Sequence, residues 1–454
     1  MTSSKKLPIV VLFFGNLLTY MNRFAITGVL GDLELHLELK EDDIGLMQTF
    51  YIVVMIFGSP PIGYFGDKFS KKWVLTSTTL LWIITSAVAS FVCHSFWIFV
   101  SLRALSGVGE AGFIAVAPAL ISDYYDVPDR HKMLAIFYLA YPFGAGLGYI
   151  VGGEAANKFG NWRWGMRIVP CFGVLILVML CFLKNNQIKV KTALPSNWRH
   201  NLGMILKNKT FMLTMVGCTC MAYIAGPSGW WTPKIISLGL QLQQKAAHTT
   251  KYSLVVFGML VILSGILGIL FGYILSKYLG AKFVRADPIM CGVGMLMSAP
   301  FIASSFYLVL YSTTLCYLMG FMGFTMLNLQ PAVVSSIILS VISPNNRGLA
   351  QGVLLFFCHT FGDCISPYIF GLTTQYFRLL FEIKGEFTYI NQFNGFLCSI
   401  FMLCMVDVLG GVMFFICSLY IKQDREQVNI DQIKAPQEVT IKENKVEEDI
   451  LHLT

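Results

Sequence analysis

A few ionisable residues interrupt otherwise apolar segments of the chain, and their chemistry stands out first. Arg23 lies in the first apolar segment, whereas Arg103 and Glu110 lie seven residues apart in the fourth. Seven residues are two turns of an α-helix, so these two side chains share a face, and either arginine can pair with Glu110. Because a charge inside a membrane-spanning helix costs about 2.5–3.5 kcal/mol, each should face a cavity or a partner. We predict that Glu110 carries a proton and that Arg23 attracts an anionic head group; a purely structural ion pair is the alternative.

A second pair of ionisable residues lies far along the chain. His359 and Asp363 are four residues apart and therefore share one helix face. Histidine titrates near neutral or acidic organelle pH, so the pair either senses a proton gradient or only stabilises its helix. We predict a substrate cavity that contains Tyr20, Arg23, Glu110, His359 and Asp363.

The elements that must position these side chains are membrane helices. The 454 residues are 56% hydrophobic with a mean hydropathy of +0.65, and only 13% are charged, against about 25% in soluble domains. Apolar stretches of spanning length recur along most of the chain. We predict an all-α integral membrane protein with about twelve transmembrane helices, near 8–31, 45–65, 73–93, 96–121, 133–156, 167–184, 211–236, 252–277, 288–305, 307–341, 349–377 and 395–421.

We interpret the net charge of +8 as a signal that sets the orientation of the chain in the membrane, and not as a sign of affinity for nucleic acid. Its basic residues form short clusters between alternate spans, which the positive-inside rule assigns to the cytoplasm. Both termini are then cytoplasmic. The clusters contain Lys68, Lys71, Lys72, Arg130, Lys132, Lys189, Lys191, Arg199, Lys207, Lys209, Lys277, Lys282, Arg285 and Arg347.

The chain offers little that would support an enzyme or a metal site. Its 12 cysteines are spread mostly through apolar segments without metal-ligand spacing. It contains no Gly-x-Ser-x-Gly elbow and no phosphate-cradling loop. We therefore predict that the protein is not an enzyme and has no cofactor, although a membrane enzyme acting on lipids remains an alternative that product formation would reveal.

Two features near the second half's spans have several interpretations. Trp230 and Trp231 precede Thr232 and Pro233, and we predict that they form an interfacial anchor, with a place in the cavity wall as the alternative. Asp407 lies within the last span, where the sequence gives no physical account of it.

An internal repeat divides the chain into two halves. The stretch that begins Gly63-Tyr64-Phe65-Gly66 matches the one that begins Gly272-Tyr273-Ile274-Leu275, and Pro128-Asp129-Arg130 matches Pro344-Asn345-Asn346-Arg347 at a similar offset. Such an offset predicts a duplicated six-helix unit with substrate bound near the midplane between parallel copies. We predict halves at residues 1–184 and 211–421, a cytoplasmic linker at 185–210 and a disordered cytoplasmic tail at 422–454.

The first copy of the repeat carries the pattern G-x-x-x-D-[RK]-x-x-[RK]-[RK], formed by Gly63, Asp67, Lys68, Lys71 and Lys72. We predict a cytoplasmic gate in which the aspartate faces a helix N-terminus of the other half and the lysines pair with acidic groups or lipid phosphates. The alternative is that these charges only set orientation. The second copy has Ser276 at the aspartate position, which predicts a weaker latch.

These motifs resemble those of the major facilitator superfamily, as do Arg103-x-x-x-Gly107-x-Gly109 and the glycine-rich run Gly144-x-Gly146-x-Gly148. Longer stretches are similar to the Spinster family of lipid transporters within it. The resemblance implies alternating-access transport of sphingolipids or lysophospholipids, such as sphingosine phosphate or lysophosphatidylcholine, in late endosomes or lysosomes more than at the plasma membrane. The stretches are Asn16 to Arg23, Gly107 to Ala111, Gly146 to Gly152, Trp162-Arg163-Trp164, Arg285-Ala286-Asp287-Pro288 and His359 to Pro367.

One position departs from the family pattern. Spinster proteins normally have Asp immediately before the arginine of the first helix, where it acts with the glutamate matched by Glu110, but this chain has Asn22. An amide takes up no proton, so the resemblance leaves three outcomes: coupling through Glu110 alone, altered coupling, or a facilitator. A facilitator of a small organic anion and a non-transporting receptor also remain alternatives.

Overall fold

The computed structural model describes residues 3–91, 95–125, 133–134, 136–183, 198–243, 247–280, 282–343, 347–382 and 388–451. Regular structure in these ranges is helical throughout. Backbone amides and carbonyls cannot bond to water in lipid, so a helix satisfies them within each spanning segment.

The first half begins with a long, bent span. Helix α1 (Ser3–Ala25) continues through a 3₁₀ turn (Ile26–Val29) into α2 (Leu30–Leu37). The helices that follow are α3 (Glu41–Lys68), α4 (Lys71–Phe91), α5 (Phe96–Ala115), α6 (Ala117–Tyr124), α7 (Ala140–Phe159) and α8 (Arg163–Phe182).

The second half repeats this order after a connecting helix, α9 (Trp198–Lys207), which lies in the predicted linker. It contains α10 (Lys209–Leu242), α11 (Ala247–Gly280), α12 (Ala286–Leu308), α13 (Thr313–Leu327) and α14 (Gln330–Val341). Helix α15 (Arg347–Phe357) passes through a π-helical turn (Cys358–Asp363) into α16 (Ser366–Phe381), and α17 (Tyr389–Leu451) is last.

Eleven helical segments of the described chain are long and apolar enough to cross a membrane. The tenth predicted span, 307–341, is interrupted: α13 is 15 residues long, and α14 follows after Asn328 and Leu329. The predicted all-α membrane fold of about twelve helices is therefore confirmed.

Glycines set the closest helix contacts, because packing between helices in lipid favours small residues. A Cβ atom at Gly144, Gly148 or Gly152 of α7 would lie 2.6, 2.8 or 2.1 Å from a backbone oxygen of α1. On another side of α7, a Cβ atom at Gly146 would lie 2.4 Å from the backbone oxygen of Gly258 in α11. Helix α7 thus packs within its own half and also against the second half.

The C-terminal region differs from the predicted disordered tail at 422–454. Helix α17 continues past residue 422 to Leu451. Asp424 accepts a hydrogen bond from the backbone N–H of Thr210 at 2.8 Å, and Arg425 pairs with Asp287 at 3.1 Å. These charged side chains find partners on α10 and α12, so the structured region extends beyond the predicted boundary.

Candidate functional site

Arg23 lies at the centre of a buried charge network that joins the two halves. Its side chain is 6% exposed; Nη1 is 3.0 Å from Oε1 of Glu110, and Nη2 is 3.1 Å from Oδ2 of Asp363. Glu110 belongs to α5 in the first half, whereas Asp363 closes the π-helical turn in the second half. The predicted pairing of an arginine with Glu110 is present, and Asp363 adds a second carboxylate that the sequence analysis did not connect to Arg23.

Two uncharged polar residues of α3 complete the surroundings of this network. The Tyr51 hydroxyl donates to Oε2 of Glu110 at 2.9 Å. With its amide oxygen turned toward the guanidinium, Gln48 accepts from Nε of Arg23 at 2.9 Å. Sequence reasoning missed both residues, although their polar groups in an apolar span, almost one helical turn apart, give a weak signal.

Arg103 has a different role from the predicted pairing with Glu110. Its guanidinium donates to the backbone carbonyls of Asn22 at 3.0 Å and Arg23 at 2.6 Å, and it lies 4.8 Å from the centre of the Tyr51 ring. Both carbonyls lie in the last turn of α1, just before the 3₁₀ turn. Arg103 therefore binds the backbone of the segment that carries Arg23, and it does not bind the Glu110 carboxylate in the described contacts.

Asn22 is 5% exposed, and its side-chain Nδ2 has no hydrogen-bond partner in the described part of the chain. Tyr20 is partly exposed beside the network and meets the ring of Tyr141 edge-on, with ring centres 5.0 Å apart. The structure thus places both predicted residues on α1 next to Arg23, without a bond from either side chain to that guanidinium in the described contacts.

His359 and Asp363 share the predicted helix face. Nδ1 of His359 is 3.0 Å from Oδ1 of Asp363, and the histidine side chain is 30% exposed. Between them Gly362 has φ −91° and ψ −105°, which is not helical, and a Cβ atom there would lie 2.6 Å from Ala222. π-helical turns recur at functional sites because they redirect side chains within a helix. Here the turn lets Asp363 contact His359 and Arg23 together.

The charges of the network balance. Arg23 and Arg103 contribute two positive charges, and Glu110 and Asp363 contribute two negative charges, so the sum is zero with neutral His359. One proton on either carboxylate leaves a net positive charge in a buried site. The arrangement can therefore link proton uptake to the binding of an anion.

Further bonds between the halves lie toward the predicted non-cytoplasmic end. Glu41 is 1% exposed and accepts from Arg378 at 2.9 Å and from Gln392 at 2.8 Å. Lys234 lies 2.7 Å from Glu34. Because ion pairs at this end join helices of both halves, this form is closed there.

The two tryptophans belong to this closure. Each is 0% exposed; the Trp230 indole donates to the Ile44 carbonyl at 3.1 Å, and the Trp231 indole donates to the Pro367 carbonyl at 3.2 Å. The predicted interfacial anchor is therefore wrong. Trp230 bonds to the first half and Trp231 to α16 of its own half, so each buried indole N–H has a carbonyl acceptor and neither ring sits among lipid head groups.

A cavity of about 860 Å³ lies at the same end, lined by the 3₁₀ turn after α1 and by α2, α7, α10, α11, α16 and α17. Its wall mixes leucines with acidic and basic side chains, including Leu35, Leu238, Asp32, Lys234 and Arg378. Such a wall can accommodate an apolar chain beside a charged group.

The residues of the predicted cytoplasmic gate lie at the end of α3 and the start of α4. Nζ of Lys71 is 2.7 Å from Oδ2 of Asp123, and Nζ of Lys72 donates to the Cys181 carbonyl at 2.7 Å. Gly63 packs close to α5, where a Cβ atom would lie 3.8 Å from Ala115. The side chains of Asp67 and Lys68 lie outside the described residues. The described lysine contacts stay within the first half.

In the second copy of the repeat, where Ser276 replaces the aspartate, another acidic side chain lies beside the serine. Its hydroxyl donates to Oδ1 of Asp287 at 2.7 Å, and Oδ2 of that carboxylate pairs with Arg425. Asp407 is also accounted for: it is fully buried and lies 2.5 Å from the Ser298 hydroxyl, which joins α17 to α12.

Comparison with known proteins identifies the family. The Major Facilitator Superfamily model matches residues 12–367. Protein spinster of Drosophila melanogaster is 32% identical over 93% of this chain and 78% of its own length, and Protein spinster homolog 3 of Danio rerio is 32% identical over 96% and 90%.

A solved structure agrees in fold. A bacterial homolog to the human lysosomal transporter Spinster, in an inward-facing and unoccupied conformation, superposes with a TM-score of 0.81 at 18% identity, covering 94% of this chain and 99% of its own. The predicted resemblance is confirmed. The chain is a multi-pass membrane transporter that belongs to the Spinster family of the major facilitator superfamily.

Proposed function

We propose that the protein carries lysophospholipids or sphingosine phosphate across a membrane by alternating access, and that the Arg23 network couples this movement to protons. One observation carries the proposal: Arg23 is shared between Glu110 of the first half and Asp363 of the second. A group held by both halves is affected by any movement of one half against the other.

The proton acts through charge balance. In the unprotonated network the carboxylates of Glu110 and Asp363, 3.0 and 3.1 Å from Arg23, balance the charges of Arg23 and Arg103. Protonation of Glu110 or Asp363 weakens one ion pair and leaves a surplus positive charge. A buried surplus charge is costly, so the protonated site favours an anion as its new partner.

The anion is the phosphate of the lipid. A guanidinium presents a planar fork that binds phosphate oxygens through two parallel hydrogen bonds. Arg23 already uses Nη1 and Nη2 for two separate carboxylate oxygens, so a phosphate can replace one of them. Proton and phosphate then bind with positive cooperativity, because each offsets the other's charge.

Asn22 does not prevent this coupling in our proposal. The family pattern places an aspartate there, but Asp363 already gives Arg23 a second carboxylate. His359, 3.0 Å from Asp363, provides a group that gains charge at acidic pH and competes with Arg23 for the same carboxylate. Acidification therefore favours release of Arg23 from the second half.

The mixed lining of the 860 Å³ cavity supports an amphiphile over a small organic anion, since its leucines offer apolar surface beside polar groups. The bacterial relative is described as a homolog to a human lysosomal transporter, which supports a late endosomal or lysosomal membrane. Gly63, Asp67, Lys68, Lys71 and Lys72 form the cytoplasmic gate in this scheme.

The test is flux through purified protein in proteoliposomes. Labelled lysophosphatidylcholine and labelled sphingosine phosphate are supplied with and without an imposed pH gradient. Flux should rise with the gradient, and Glu110→Gln should remove most of that rise because an amide takes up no proton. The matched control is Glu154→Gln, which makes the same change at an exposed position on α7.

Each outcome has a definite meaning. Lipid flux that does not depend on the pH gradient would show that the protein is a facilitator and would refute the proton coupling. Flux of a small organic anion without lipid flux refutes the lipid assignment, and absence of any flux favours a receptor.

A further inference from the structure

A groove of about 660 Å³ lies at the predicted cytoplasmic ends of α11, α12 and α17, separate from the transport site. Its walls are the last turn of α11, the connection to α12, the first turn of α12, and Lys422 on α17. Three basic residues, Lys282, Arg285 and Lys422, line it together with apolar side chains such as Phe283 and Ile289.

Among the described residues, the positive charges of the groove have no counter-charge. Lys282, Arg285 and Lys422 are exposed, and none forms an ion pair with an acidic residue in the described part of the chain. The nearby carboxylate of Asp287 is 2% exposed and is already held by Arg425 and Ser276. The groove therefore presents three cations to an anionic ligand.

The apolar side chains indicate that the ligand has a hydrocarbon part. Phe283 is 63% exposed and Ile289 is 39% exposed, although both line the groove. Ile289 follows Arg285 by four residues on a helix that enters the membrane, so it lies about 6 Å deeper. Charge at the surface with apolar groups one turn below matches a phospholipid, whose phosphate lies above its acyl chains.

We propose that this groove binds an anionic glycerophospholipid of the cytoplasmic leaflet as a stabilising ligand. Its phosphate is held by Lys282, Arg285 and Lys422, and an acyl chain lies along Phe283 and Ile289. Basic pockets between transmembrane helices on the cytoplasmic side bind lipid head groups in this way.

Binding here would fasten three helices to one another. Arg425 of α17 donates to the Val284 carbonyl in the groove wall at 3.2 Å and also pairs with Asp287 of α12. A lipid that bridges Lys422 to Lys282 and Arg285 adds a second connection between α17 and the α11–α12 turn. Bound lipid should therefore raise the melting temperature.

The test uses the purified full-length protein in detergent, titrated with phosphatidylinositol 4-phosphate that carries a fluorescent acyl chain. Fluorescence anisotropy gives the affinity, and phosphatidylcholine with the same chain is the reference lipid. The groove variant is Lys282→Gln with Arg285→Gln. The control variant is Lys207→Gln with Lys277→Gln, which removes two exposed charges from the same face outside the groove.

The groove variant should bind about 30-fold more weakly, roughly fivefold for each charge removed, and lose the lipid-dependent rise in melting temperature. The control variant should retain both. Equal weakening in both variants means unspecific attraction and overturns the proposal, as does an unchanged affinity in the groove variant. Equal binding of soluble inositol phosphate shows a phosphate site without lipid selectivity, and this also overturns it.

Discussion

The bond between Arg23 and Asp363 should bias the protein toward the form closed at the non-cytoplasmic end. Asp363→Asn removes the charge from an ion pair of 3.1 Å between the halves but leaves Arg23 with Glu110 and Gln48. Arg23 keeps the Glu110 carboxylate as a partner, so the penalty of about 3–5 kcal/mol for a cation left without any carboxylate does not apply. The loss is that of a hydrogen bond between charged groups, about 1.5–3 kcal/mol.

That free energy corresponds to a shift of about 10- to 150-fold in the ratio of cytoplasm-open to cytoplasm-closed molecules. Spin labels at Phe69→Cys and Lys277→Cys, at exposed positions in opposite halves, report this ratio as a distance distribution. Exposed Cys171 and Cys181 are replaced beforehand. Asp363→Asn should reduce the long-distance population.

A double-mutant cycle identifies the pair as the cause. In an Arg23→Gln background the guanidinium that pairs with Asp363 is gone. There, Asp363→Asn should change the free-energy difference between the two forms by less than about half of its effect in the wild-type background. Asp363→Asn without a shift, or with the same shift in both backgrounds, would refute our reasoning about the bond.

Three further predictions address coupling, packing and the C-terminal helix. Asn22→Asp adds a buried acid that must be protonated or paired, so lipid flux should respond more steeply to a pH gradient, as measured in proteoliposomes. Gly146→Leu should lower flux about tenfold, because a side chain there overlaps the backbone of Gly258 and overpacking costs about 1–3 kcal/mol. Arg425→Gln should lower the melting temperature, because it leaves the carboxylate of Asp287 buried without its cation, at a cost of about 3–5 kcal/mol.

The packing and C-terminal-helix predictions each have a control variant. Gly203→Leu, on the connecting helix α9, places the same side chain where no atom lies within 4 Å of a Cβ, and flux should persist. Glu426→Gln changes an exposed charge next to Arg425 and should leave the melting temperature unchanged. An unaltered pH response in Asn22→Asp would contradict the assignment of that position to coupling.

The sequence predicted the fold because each span has its own apolar signal, which needs no knowledge of neighbours. Arg23 and Glu110 were found for the same reason: a charge in an apolar segment is conspicuous. Asp363 was also noticed, but its contact with Arg23 joins positions 340 residues apart, and only the packing of the two halves brings them together.

The misses have related causes. Tyr51 and Gln48 are uncharged, and nothing local distinguishes them from polar residues that only satisfy a helix. The tryptophans were interpreted from their place near a span end, whereas their burial depends on Ile44 and Pro367 in distant segments. The predicted start of the tail at residue 422 rested on composition alone. Composition cannot show that Asp424 and Arg425 pair with residues of other helices.

The glycines of α7 make the helix a natural subject for mutational scanning in cells. Gly144, Gly148 and Gly152 contact α1 of the same half, so substitutions there should reduce the amount of protein that survives quality control. Gly146 contacts α11 of the other half, so substitutions there should leave abundance near normal and reduce growth that depends on transport. Substitutions on the α1 face of α7 should therefore lower protein abundance, whereas substitutions on its α11 face should lower transport.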